Sequence, residues 1–265
     1  MKKVVLMIAT VIVTATTFSC KENTERISSN TETEDLNNTA SEDLALATSN
    51  NVNTESQYRY VTAPSGLSLR EYNNLQSEKL AKMPYGTKVK ILSEEGKATM
   101  NVCGIKGAMD EVEFNHKKGF AFNGYLSKYF PPERDITAKG YASELQKQFP
   151  EVTFTETVEG TPSKPINKET LILPNTPWHE AFGTAQRLFD FPSEFAFPNP
   201  KGKDAEIIFD GKPKKGIWIS QLEISRKDNE LQKIEYVYSS QKFNSKVTIE
   251  KEGDVMKITR TEEVK

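Results

Sequence analysis

The stretch Ser65–Leu92, SGLSLREYNNLQSEKLAKMPYGTKVKIL, decides how the first half of the chain is read. Leu67 and Leu69 alternate with Ser68 and Arg70. A polar break, EYNNLQSE, follows. The chain resumes with KLAKM, turns at Pro84-Tyr85-Gly86, and alternates again as Val89 and Ile91 against Lys88 and Lys90. A period of two with one wet face predicts half-buried strands joined by turns. Upstream, Tyr58 and Val61 precede the turn-forming APSG. Downstream, SEEGKA is a turn, and TMNVCGI, AMDEVEF and KGFAF read as further strands, separated by Lys106-Gly107 and by NHKK. NGYLSKYF closes the segment and Pro131-Pro132 ends it. Five or six short strands in about 70 residues predict a small barrel or sandwich.

Taken in order, SGLSLRE, a variable polar loop, LAKMPYGTKVKIL and KGFAFNGYLS resemble the bacterial SH3-like domains. Leu67, Leu69, Arg70, Leu80, Gly86, Val89, Ile91, Gly119, Phe120, Tyr125 and Leu126 stand at the matching positions. The resemblance covers Tyr58–Pro132, roughly a quarter of the chain, and implies an SH3-like β-barrel. It also implies a groove lined by aromatic side chains in which an extended peptide or cell-wall component docks. Tyr72, in the polar loop, and Tyr125, in the closing segment, are the candidate ligand contacts. Three departures stand out. EYNN replaces the usual Gly-Pro after the arginine, the tryptophan of the middle strands is missing, and Gly119-Phe120 stands for Gly-Trp. The resemblance therefore supports a fold more than any particular ligand.

The chain opens MKKVVLMIATVIVTATTFSCKENTER. Lys2 and Lys3 precede an uncharged run, Val4–Cys20, with Ser19 just before Cys20. That is the order of a secretory signal peptide, and a plain cleaved signal or an uncleaved membrane helix also fits it. The cysteine resembles the lipobox of bacterial lipoproteins, in the relaxed form of Bacteroidota. It implies a signal peptide over residues 1–19, an acyl anchor of palmitate type on Cys20 and an outer-membrane lipoprotein of the cell envelope, periplasmic or surface-facing. Residues 20–57 follow as KENTERISSNTETEDLNNTASEDLALATSNNVNTESQ after the cysteine, with two basic and eight acidic residues between Lys21 and Gln57. So little apolar surface cannot offset chain entropy, which predicts a disordered tether. The only other cysteine, Cys103, is expected to be a small buried hydrophobe.

From Glu133 to Lys265 the pattern predicts an α+β domain of no recognised family. TAKGYASELQKQF places Tyr141, Leu145 and Phe149 on one helical face before Pro150. VTFTETV alternates as a strand, TPSKPINKE reads as a loop and TLILP as a short strand. NTPWHEAFGTAQRLFDFP is the clearest helix. Thr176 is its expected cap, Pro177 suits its first turn, and Trp178, Ala181, Phe182, Ala185, Leu188 and Phe189 share a face. AEIIF, GIWISQLEIS, LQKIEYVYSS, KVTIEKE and DVMKITRTEE then predict an antiparallel β-meander, with turns at DGKPKKG, RKDNE, QKFNS and EGD. The whole is thus expected to be β-rich and two-domain, with one or two helices.

No catalytic motif stands out. There are two histidines. His116 lies in a polar turn. His179 would need a second histidine four residues on to form a zinc-protease helix, and that position is Gly183. No metal, cofactor or nucleic-acid partner is implied, and the net charge of −2 adds no electrostatic reason for one. The cluster RLFDFPSEFAFP carries Phe189, Phe191, Phe195 and Phe197, which either cover the helix–sheet core or form an exposed aromatic edge. The first functional expectation is a non-catalytic, lipid-anchored envelope protein that binds a peptide, an envelope protein or peptidoglycan. The alternatives are a cell-wall hydrolase or other enzyme with its site in the C-terminal domain, where Glu180 or His179 would matter, and a structural subunit of a surface complex.

Overall fold

The computed structural model describes residues 57–211 and 214–265. The leader, Cys20 and the tether up to residue 56 lie outside the described residues. The chain runs β1 (Tyr58–Val61), β2 (Leu67–Arg70), β3 (Lys79–Met83), β4 (Lys88–Ser93), β5 (Met100–Val102), β6 (Ile105–Gly107), β7 (Met109–Phe114), β8 (Lys117–Phe122), a 3-10 turn at Asn123–Tyr125, and β9 (Leu126–Ser127). It continues with α1 (Ala138–Gln146), β10 (Thr153–Thr161), β11 (Lys164–Pro174), α2 (Trp178–Leu188), β12 (Ala205–Phe209), β13 (Ile217–Lys227), β14 (Glu230–Ser240), β15 (Phe243–Glu252) and β16 (Val255–Val264). The fold is β-rich, with two seven-stranded antiparallel sheets, a small β5–β6 ribbon and, among the described residues, two α-helices.

The first sheet has the order β3-β2-β8-β7-β4-β1-β9. The alternation read in Ser65–Leu92 holds: Leu67, Leu69 and Val89 are buried and Lys88 and Lys90 are exposed. With Val61, Met83, Val112, Ala121 and Leu126 they form one core. Among the described residues no ladder joins β3 to β9, so the expected closed barrel is not formed. Gly119 lets β2 cross β8 closely. A Cβ there would sit 2.5 Å from the Arg70 carbonyl oxygen and 3.1 Å from Leu69 Cγ.

Two local expectations fail in this part. TMNVCGI is not one strand but the β5–β6 hairpin, with Val102 opposite Ile105 and Cys103-Gly104 as the turn. Both turn residues have positive φ, 51° and 83°, as a tight two-residue hairpin turn demands. Cys103 at the tip is therefore exposed rather than buried. His116 is exposed, as expected, in the Asn115-His116 turn between β7 and β8.

The second sheet has the order β10-β11-β16-β15-β14-β13-β12. The five predicted meander strands lie side by side, and the β10–β11 hairpin joins them at β16. Leu171, Leu173, Leu222, Ile224, Ile234, Val247, Ile249, Met256 and Ile258 bury one face. α1 packs over β10 and β11, and α2 over β15 and β16. The segment expected as a loop, Thr161–Glu169, is mostly strand. Thr161 pairs with Lys164, and Ile166 to Glu169 lie between β10 on one side and β16 on the other. Pairing on both edges overrides the polar composition there.

Residues 129–132 connect the sheets, and three tyrosine hydroxyls hold them. Tyr141 donates to the Phe130 carbonyl at 2.8 Å and Tyr85 to the Pro132 carbonyl at 3.2 Å, while Tyr129 donates to the Pro174 carbonyl at 3.0 Å. Phe197 packs against both cores. Gly119→Ala is expected to push β2 from β8 and cost about 1–3 kcal/mol. Gly183→Ala, in α2 with nothing within 4 Å of the added methyl, should stabilise by about 0.5–1 kcal/mol. Urea denaturation of the purified protein measures both, and equal effects would contradict this packing.

Candidate functional site

The first turn of α2 is where the two sheets meet. Its N-cap is Pro177, with no side-chain capping bond. The expected cap, Thr176, instead bonds the Pro174 carbonyl at 3.3 Å. Trp178, His179 and Glu180 then occupy three different environments.

Glu180 turns to the last strand of the first sheet. Ser127 Oγ donates to Glu180 Oε2 at 2.5 Å, and the Tyr129 amide donates to Ser127 Oγ at 3.1 Å. Desolvation raises the Glu180 carboxyl from 4.5 to about 7, against the lowering effects of the Ser127 hydroxyl, Lys128 and Arg59. Desolvation also lowers the Lys128 ammonium. His179 faces Gly124 and the Phe197 ring, whose centroid lies 6.1 Å away. Its Nε2 is buried without a hydrogen-bond partner. Burial lowers the imidazole from 6.5 to about 4, with the Gly124 backbone acting the other way. His179 is thus held neutral at physiological pH.

Trp178 opens instead on a cleft of about 570 Å³ between the sheets, within the range of about 300–1,000 Å³ usual for small-molecule sites. One wall is the β5–β6 hairpin, through Asn101, Gly104 and Lys106. The others are the Asn199–Lys201 loop and the two hairpin turns after β13 and β15, through Asn229–Gln232, Lys251 and Gly253. Arg226 fixes the loop wall. Its side chain is 1% exposed. It donates to the Asn199 carbonyl at 2.7 and 3.1 Å and to the Lys203 carbonyl at 2.9 Å, and pairs with Glu206 at 2.9 Å. The hairpin tip closes on this loop, since a Cβ on Gly104 would meet Pro200 Cδ at 3.3 Å.

A second cleft, of about 510 Å³, is lined by Tyr60, Tyr85, Phe130, Glu133, Arg134 and Arg187 among others. Tyr60 and Phe130 meet edge to face at 6.0 Å, and the Arg187 guanidinium covers the Tyr85 ring at 4.8 Å. Its aromatic wall is therefore already stacked within the protein.

The tyrosines singled out in the sequence lie elsewhere. Tyr72 is 60% exposed in the β2–β3 loop, and its amide bonds Ser77 Oγ at 2.8 Å. Tyr125 is half-buried against Phe122 at 5.9 Å. They share no ring contact, and neither lines either cleft. The RLFDFPSEFAFP rings settle on the core alternative. Phe189, Phe191 and Phe195 are buried, and Phe191 and Phe195 pack on Tyr236. The residues that build the first cleft were not singled out from sequence, apart from Trp178 as a core position. Among the described residues, no group of three or more His, Cys, Asp or Glu is placed to hold a metal ion, and no helix is long and apolar enough to cross a membrane. Compared with known proteins, the chain matches no family model, no curated protein and no solved structure.

The adjacent pair His179-Glu180 gives opposed pH dependences. Glu180 holds its proton more tightly folded than unfolded. Its contribution to stability is full below about pH 4.5 and is lost as pH rises through 7. The His179 contribution is full above about pH 6.5 and is lost as pH falls toward 4. Between pH 4.5 and 6.5 the two slopes cancel. Relative to the parent protein, Glu180→Gln should gain about 1–3 kcal/mol of stability between pH 4.5 and 7.5. His179→Asn, which has no imidazole to charge, should instead gain on the parent by a similar amount as pH falls from 6.5 to 4. Denaturation midpoints across that range test this, and parallel profiles would refute it.

Proposed function

We propose that the chain is an exported, lipid-anchored envelope protein that binds a ligand without transforming it, and that the Trp178 cleft is its binding site. The observation that carries this reading is the cleft itself. It has three walls from separate elements, the volume of a small-molecule site, and a loop held by a buried arginine before any ligand arrives. Such preorganisation lowers the ordering cost of binding. The export and anchor parts rest on the Lys2-Lys3 start, the uncharged Val4–Cys20 run and Cys20. Stable membrane attachment by lipid needs more than one chain, which a diacylated or triacylated cysteine supplies.

The SH3-like reading of Tyr58–Pro132 draws support from the pairings. The sequence pieces that carry the resemblance fall on β2, β3, β4, β8 and β9, all strands of one antiparallel sheet. The first and last strands of that sheet in chain order, β1 and β9, are neighbours, as in a self-contained unit whose ends lie close. The proposed groove moves, however, from Tyr72 and Tyr125 to the cleft shared with the second sheet.

One observation favours an enzymatic alternative. A carboxyl raised to about 7 beside a hydroxyl is the kind of group that acts as a general acid. It lines neither cleft, which favours binding over hydrolysis. Zymography on cell-wall material separates the two readings. A clearing zone abolished by Glu180→Gln would establish the hydrolase.

For the anchor, Cys20→Ser is expected to move the protein from the membrane fraction to the soluble fraction and to abolish palmitate labelling. Retention of the variant in the membrane would instead establish an uncleaved helix. For the cleft, the full-length protein in detergent should co-sediment with purified envelope material. Replacing Lys106, Lys201 and Lys251 with glutamine should weaken that about tenfold, and unchanged sedimentation would remove the cleft from the function.

A further inference from the structure

From the hydrogen-bonding character of the Trp178 cleft, we infer that its ligand is an acidic oligosaccharide, a sugar chain bearing carboxylates. This rests on the cleft being the binding site and adds the chemical class of the occupant. Two of its asparagines are oriented by the backbone. Asn101 Oδ1 accepts from the Gly104 amide at 2.9 Å, and Asn199 Oδ1 accepts from the Lys201 amide at 3.0 Å. Each amide oxygen accepts one backbone bond, and both Nδ2 hydrogens are left over as donors. Among the described residues, neither Nδ2 has a protein acceptor. The side chains of Lys106, Lys201 and Lys251 are exposed and, among the described residues, make no ion pair, nor does the Trp178 indole N–H make a hydrogen bond there. One carboxylate, Glu230, stands against the three ammoniums. The lining therefore holds several donors, carries excess positive charge and includes the exposed part of one indole, Trp178, whose remainder packs on the larger core.

Each property selects the ligand. Unpaired donors in a cleft favour a partner dense in acceptor oxygens, because a donor desolvated without an acceptor costs about 1–3 kcal/mol. Excess ammonium charge favours anionic groups. An extended peptide brings one backbone N–H per residue, apart from proline, that must find an acceptor, and the side-chain acceptors left in the lining are Asn229, Glu230 and Gln232. Inorganic phosphate or sulfate satisfies the ammoniums but leaves the Trp178 face uncovered. A pyranose ring has an apolar C–H face to lie on the indole, hydroxyls that accept as well as donate, and, in the acidic sugars, a carboxylate for the lysines. Two sources supply that chemistry, the lactyl carboxylates of cell-wall glycan freed of its peptides and the uronic acids of acidic polysaccharides.

The test uses the full-length protein in detergent carrying Trp218→Phe, so that fluorescence reports Trp178 alone, since the chain has two tryptophans. The probes are a peptide-free cell-wall glycan tetrasaccharide, an oligogalacturonate of the same length, a neutral chito-oligosaccharide, triglutamate and inorganic sulfate. The expected result is saturable quenching by one or both acidic sugars. It should weaken as salt rises and fall about tenfold when the three lysines are glutamine. The two acidic probes distinguish the source. Equal binding of the neutral sugar, or binding of triglutamate or sulfate alone, would overturn the ligand class while leaving the cleft as a site. No binding of any probe, with co-sedimentation unaffected by the lysine variant, would overturn both.

Discussion

The hydrogen bond from Ser127 to Glu180 fixes the first turn of α2 against β9 of the first sheet, and what surrounds that turn depends on it. Helix α2 belongs to the larger core through Ala181, Phe182 and Ala185. Its N-terminal turn has no side-chain cap, so its orientation is set by what its first residues touch. Glu180 is held by Ser127, His179 sits against Phe197, and Phe197 itself packs on both cores. Trp178 is then left facing the gap between the β5–β6 hairpin and the larger sheet. The same helical turn thus closes one interface and opens the cleft next to it.

The opposite wall of the cleft depends on a different buried charge. Arg226 is enclosed, yet its guanidinium has carbonyl acceptors from Asn199 and Lys203 and a carboxylate from Glu206. A buried cation satisfied in this way is tolerable, and removing one partner costs far more than the pair contributes. Its consequence is geometric. The Asn199–Lys203 segment contains no helix or strand, but its carbonyls are fixed on a β-strand side chain. A polar loop without Arg226 would need to be ordered by the ligand at the ligand's expense.

Much of the fold was legible because periodicity reports it directly. The alternation of Leu67, Leu69, Val89 and Ile91, the single face of Trp178 to Phe189, and the five meander strands all follow from which side chains must leave water. The failures have a common cause, pairing across distance. Ile166–Glu169 reads as loop until β10 and β16 flank it, and Thr176 reads as a cap until its hydroxyl finds Pro174. Cys103 reads as core until the turn it occupies is known to be two residues long. Part of the cleft was within reach. In an antiparallel meander alternate turns fall at the same end of the sheet, so Asp228-Asn229 and Gly253-Asp254 had to be near one another. What no local pattern contains is that the β5–β6 tip and the Asn199–Lys201 loop come to that end as well.

The shifted groups at the junction bear on how an acidic pair-forming residue and a histidine should be read in a protein with no catalytic motif. Strong shifts in proton affinity mark active sites, but ion-pair and interface networks produce them too. Glu180 and His179 are shifted in opposite directions by the same cause, loss of water on docking α2. A catalytic acid and base pushed apart in this way would need a substrate between them. Here adjacent positions on the helix send the carboxyl to Ser127 and the imidazole to Phe197. Neither reaches the cleft that Trp178, the residue just before them, helps to line. The shifts are therefore accounted for by burial at the junction, and the chemistry of recognition falls to the lysines, the oriented amides and the indole.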